Sequence, residues 1–70
     1  MAWDEYIEQR PDVLMGKPVF KGSRLAVESV LERLGQGWSN EDLMKAFPRL
    51  TPEHLQAAFA YAAASLSSAT

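Results

Sequence analysis

Gly16-Lys17-Pro18-Val19-Phe20-Lys21-Gly22-Ser23-Arg24-Leu25 is the stretch that decides how this chain folds. Gly16 and Gly22 supply the backbone freedom that tight turns need. Pro18 fixes its own φ and biases Lys17 toward an extended conformation. Val19-Phe20 reads as a minimal strand, with Arg24-Leu25 as its return, so the segment is a small β-loop that delivers the chain into a first helix. Lys17, Lys21 and Arg24 also concentrate three of the seven lysines and arginines here. A turn with solvated lysines is one reading; a basic, partly rigid loop that meets a phosphate or an acidic partner is the other.

Downstream of the loop the pattern is helical. Val27, Val30, Leu31 and Leu34 recur at i, i+3, i+4 and i+7, which predicts a helix over about residues 26–35. Glu28 in its first turn and Arg33 in its last suit the helix dipole, and Gly35 or Gly37 ends it. Ser39 is an N-cap with Asp42 three residues on, a variant capping box, and Trp38 is placed to staple onto Leu43. A second helix follows over about residues 40–46, closed by Pro48. Thr51 caps a third, with Pro52 at its first position and a staple between Leu50 and Leu55. That helix is expected over residues 52–66, with Leu55, Ala58, Phe59, Ala62 and Leu66 inward and a fraying tail at 67–70. Upstream, the chain reads as a short strand near residues 6–9, although Trp3 and Ile7 equally suit one helical face. The fold class is thus mainly α: a three-helix bundle of helix-turn-helix type with a small N-terminal β element. The β element and basic loop occupy residues 1–25 and the helices residues 26–66.

Composition narrows the function. Seventy residues make one domain, marginal alone, with no cysteine to staple it. The N-terminus has none of the features of a signal peptide, and no run approaches the ~20 apolar residues of a membrane span; a cytoplasmic protein with no membrane partner is expected. A net charge of -2 argues against non-specific nucleic-acid binding. With no cysteine and the single histidine, His54, at a helix start, nucleophilic catalysis and a metal site find no support. Glu28 and Glu32 share a helix face beside Arg33 and read as a solvated pair rather than as acid and base. No enzyme activity, cofactor or metal is expected.

The third helix points to a partner. It carries no Lys or Arg between Pro52 and Leu66, so base readout by this helix is poorly supported despite helix-turn-helix dimensions. It is instead apolar nearly all round. Ala57, Ala60, Tyr61, Ala63 and Ala64 lie largely outside the inward stripe and mark a second face that a partner would bury, Ala57, Ala60, Tyr61 and Ala64 being the candidate interface residues and a homodimer the expected assembly. Alanine's preference for helix is the plainer explanation of the same residues.

Arg10-Pro11-Asp12-Val13-Leu14, the segment Gly16 to Glu28, the segments Gly35 to Leu43 and Phe47 to Leu55, and the alanine-rich end together resemble the bacterial family called domain of unknown function 433. That family reads D-P-x-[IV]-x-x-G-K-P-[VI]-[IF]-x-G-[TS]-R-[IL]-P-V, and the likeness covers about residues 5–66. Ala26 stands where the family usually has proline, which loosens the helix start, and Arg10-Pro11-Asp12 replaces the usual Asp-Pro. The resemblance implies a protein similar to VapB-type antitoxins, which are often paired with PIN-like ribonuclease toxins and neutralise them by protein contact; the complex is then a candidate to bind its own operator DNA. Carried onto this sequence, Lys17, Lys21, Arg24 and Arg49 are the implied nucleic-acid contacts, and Tyr61 with the alanine face is the implied protein interface. The rival reading is a pure protein-interaction domain with no nucleic-acid role.

Overall fold

The structure, a computed structural model, describes residues 1–68, the last of them by its backbone only. A 3-10 turn at Trp3–Glu5 leads into β1 (Ile7–Glu8), a second turn at Leu14–Gly16 into β2 (Val19–Phe20), and three helices follow: α1 (Val27–Gly35), α2 (Asn40–Ala46) and α3 (Pro52–Ser68). β1 and β2 pair antiparallel, Ile7 opposite Phe20 and Glu8 opposite Val19. The return strand is a single bridge between Val19 and Ala26, helped by a hydrogen bond from the Phe20 N–H to the Leu25 carbonyl. It therefore lies one residue beyond the expected Arg24-Leu25. The helices start and stop within two residues of their expected positions. α3 continues to Ser68, and residues 69 and 70 of the tail expected to fray lie outside the described residues.

Local signals explain these boundaries. At the end of α1, Gly37 takes φ +98°, its N–H bonds to the Leu34 carbonyl and the Trp38 N–H to the Arg33 carbonyl. That is the Schellman arrangement, which satisfies carbonyls the helix leaves orphaned. Ser39 Oγ accepts from the Asp42 N–H and Asp42 Oδ2 from the Ser39 N–H, each at 3.0 Å. Donation from the Ser39 N–H, then from the Ser39 side chain, holds the Asp42 carboxyl below its ordinary pKa. α3 starts with a histidine variant of the same device. The His54 N–H reaches Thr51 Oγ1 at 3.4 Å, and His54 Nδ1 accepts from the Thr51 N–H at 3.1 Å. An accepting Nδ1 means the neutral ring carries its proton on Nε2.

The core gathers one or more side chains from every strand and helix: Ile7, Phe20, Val27, Val30, Leu43, Leu50, Leu55, Ala57 and Ala58. Alternation along β2 puts Val19 on the face opposite Phe20, and both are buried, so the strand is covered on two sides. The inward face of α3 differs from the expected one. Phe59 is 53% exposed and Leu66 71%, whereas Ala57 is fully buried. The cause lies at the other end of the chain. The Trp3–Glu5 turn packs on α3, with Trp3 edge-on to Tyr61 at 4.9 Å between ring centroids. His54 stands edge-on to Tyr6 and Phe20. The N-terminal segment thus covers the face through His54, Ala57 and Tyr61 and turns Phe59 outward. Trp38, expected to staple onto Leu43, has a further neighbour in Arg33. Leu43 is buried, while the Arg33 guanidinium lies within 5.5 Å of the Trp38 ring and 5.3 Å of the Phe47 ring, a cation–π arrangement.

Candidate functional site

The loop from Phe20 to Leu25 is built by short-range bonds. Ser23 Oγ donates to the Phe20 carbonyl at 2.8 Å and accepts from the Leu25 N–H at 3.1 Å. Gly22 turns the chain at φ +77°, a conformation that a side chain strains. The Lys21 N–H donates to the Tyr6 carbonyl and ties the loop to the residue that leads into β1. Across from it, Arg49 in the α2–α3 turn donates from Nη1 to the Gly22 carbonyl at 3.3 Å. Loop and turn, 27 residues apart in sequence, are thereby brought side by side.

Between them lies a cleft of about 460 Å³. Phe20, Leu25, Phe47, Pro48 and Leu50 supply its apolar lining; Lys21, Arg24 and Arg49 are its cations; Ser23, Ala46 and His54 complete it. No acidic residue lines it. Among the described residues, Lys21 and Arg24 are in no ion pair. Glu8, outside the cleft lining, accepts from the Gly22 N–H at 3.4 Å and pairs with Arg10. Three of the four candidate basic residues therefore meet at one concavity.

Lys17 does not join them. Its ammonium meets the Glu28 carboxylate at 2.6 Å. That hydrogen bond, then the carboxylate's charge, raises the lysine above its ordinary pKa. It borders a separate depression with Leu14, Met15 and Glu28. The proposed interface residues also divide. Ala57 belongs to the core, Tyr61 packs against Trp3, and Ala60 and Ala64 are half-buried. Ala63 is exposed as expected, and the apolar stripe open on α3 joins it to Phe59 and Leu66, which were expected inward. Leu25, Phe47 and Pro48 are the site residues that sequence reasoning passed over. Only the adjacency of Phe47 and Pro48 to Arg49 hinted at them, and nothing local announces that residues 20–25 meet residues 46–50. Among the described residues no group of three or more metal-ligating side chains forms, and no helix is long and apolar enough to cross a membrane.

A small sheet, three capped helices and a basic-rimmed apolar cleft define a compact helical module with a concave, cationic site. The chain belongs to the family described as protein of unknown function (DUF433), whose profile matches residues 7–62. It is 37% identical over 60 residues to an uncharacterized protein of Sinorhizobium fredii, y4eO, a match that takes in 86% of this chain and 27% of that protein. It is also similar to the crystal structure of a DUF433 member from Anabaena variabilis, with a TM-score of 0.75 and 31% identity over 79% of this chain and 55% of the other. The chain thus spans about a quarter of the first relative's length and about half of the second's.

Proposed function

We propose that this chain is a non-catalytic binding module of antitoxin type, acting in the cytoplasm, that holds a PIN-like ribonuclease by protein contact. The observation that carries the reading is the cleft: three cations around an apolar lining with no acidic residue among them. Such a surface attracts an anionic partner and gives it something apolar to bury. The likeness of the family to VapB-type antitoxins supplies the partner. The open stripe through Phe59 and Leu66 supports a homodimer, because a small domain with such a stripe gains by covering it. Co-expression with a PIN-like nuclease, sought first in the neighbouring reading frames, tests the reading: co-purification and loss of nuclease activity are expected, and an active, unbound nuclease rejects it. Sedimentation of the isolated chain at micromolar concentration tests the dimer, which a clean monomer would refute.

Binding to operator DNA is the second reading, with Lys21, Arg24 and Arg49 on phosphates rather than bases. Two observations weigh against it: α3 has no Lys or Arg, and Lys17 is already engaged by Glu28. A salt titration against the upstream duplex and an unrelated one decides it, since phosphate contacts weaken steeply as salt rises.

A further inference from the structure

Cations that serve only a nucleic-acid backbone need no hydrophobic surroundings. Here the cations border an opening whose accessible lining is the half-buried Leu25 and Phe47 and the exposed Pro48, backed by the buried Phe20 and Leu50. Its volume, about 460 Å³, falls in the range of clefts that bury a ligand's apolar body. Arg49 spends one N–H on the Gly22 carbonyl, at a distance near the limit of a hydrogen bond. Its remaining donors are a fork of the kind that carboxylates fit. Lys21 and Arg24 are exposed and, among the described residues, in no ion pair.

We propose that this cleft docks an acidic peptide segment of a partner protein. The segment inserts one large apolar side chain against Leu25, Phe47 and Pro48, and its flanking carboxylates meet Lys21, Arg24 and Arg49. The proposal rests on the binding-module reading above and adds the chemistry of the docked segment. Charge complementarity selects acid over base on either side of the anchor, and the apolar lining selects a peptide over a duplex. The phosphates of a duplex offer the cleft charge but nothing apolar to bury, whereas a desolvated anchor ringed by polar contacts is how protein interfaces concentrate their affinity.

The test uses three capped hexapeptides, each with leucine, phenylalanine or tryptophan at the centre and aspartate and glutamate around it, titrated into the full chain and followed by heteronuclear NMR. At least one is expected to shift amides of residues 20–25 and 46–50 and to leave those around Lys17 unmoved. Replacing its acids by amides, or its anchor by alanine, weakens binding about tenfold. The double variant Lys21→Glu, Arg24→Glu does the same with an unchanged melting temperature, because both side chains are exposed. Overturning results are cleft shifts with none of the three peptides, or equal cleft shifts with a duplex or single-stranded oligonucleotide. The nuclease separates the two levels. If the double variant still captures it, the module reading stands and the cleft is not its docking site. If neither the peptides nor the nuclease bind, both readings fall.

Discussion

Both ends of the segment from Gly16 to Leu25 carry a glycine and basic charge, yet they meet opposite fates. At the first end, Lys17 closes an ion pair with Glu28 and follows a run of left-handed residues, Leu14, Met15 and Gly16, on the surface. At the second, Lys21 and Arg24 stand beside buried Phe20 and beside Arg49 from another part of the chain. A basic residue in a motif is therefore not yet a site. What separates the two ends is whether the fold supplies a carboxylate, as α1 does for Lys17, or a concave apolar surface, as the α2–α3 turn does for Arg24.

The largest expected effect probes the second end. Phe20→Ala empties a position that is 2% exposed in the core and should cost about 3–5 kcal/mol, measured by urea denaturation. Lys17→Ala at the first end should leave the midpoint nearly where it was, so equal losses would erase the distinction. Next comes the backbone. Gly22→Ala places a side chain at φ +77° with only Arg49 Nη2 nearby, at 3.9 Å. It should cost about 1–2 kcal/mol through strain rather than collision. At the other end the sign reverses. Met15 holds φ +55° and is 93% exposed, so Met15→Gly should relieve strain and raise the stability measured by urea denaturation by up to about 1 kcal/mol. A loss on that substitution would mean the left-handed run is held by something beyond its own backbone bonds.

The smallest effect concerns pH and is read at Lys17. Its pKa is raised in the folded chain by the hydrogen bond and the charge of Glu28. The stabilisation from that pair is therefore fully present below lysine's ordinary value and is lost as pH climbs through the raised one. Both partners are more than half exposed, so the slope is shallow. Thermal melts from neutral to alkaline pH should show a decline that Glu28→Gln reduces. An unchanged decline would show that the pair does not form in solution.

Much of this chain was legible because its signals are local. Caps act over three residues, so Ser39 with Asp42 and Thr51 placed the starts of α2 and α3 correctly. Val27, Val30, Leu31 and Leu34 marked the inward face of α1 because polar residues fill the other side. The same reasoning placed Leu55 and Ala58 inward correctly but also took Phe59 and Leu66 inward and Ala57 outward, because the apolar residues of α3 run nearly all round and leave little contrast to read. Its orientation is set by Trp3 and Tyr6, some fifty residues upstream, which press on Tyr61 and His54.

The amino-acid order by itself determined the elements and the supply of cations, because turns, caps and helical stripes are energetically decided within a few residues of themselves. Only tertiary structure decided which cations are left to act. Glu28 reached Lys17 rather than Arg24 because the left-handed turn before Lys17 and the start of α1 set those two groups 2.6 Å apart. Arg49 reached Gly22 because packing of Phe20, Leu43, Leu50 and Leu55 in one core carries the α2–α3 turn to the loop. Burial of apolar surface acts without regard to sequence distance, and so the cleft exists only once the core has closed.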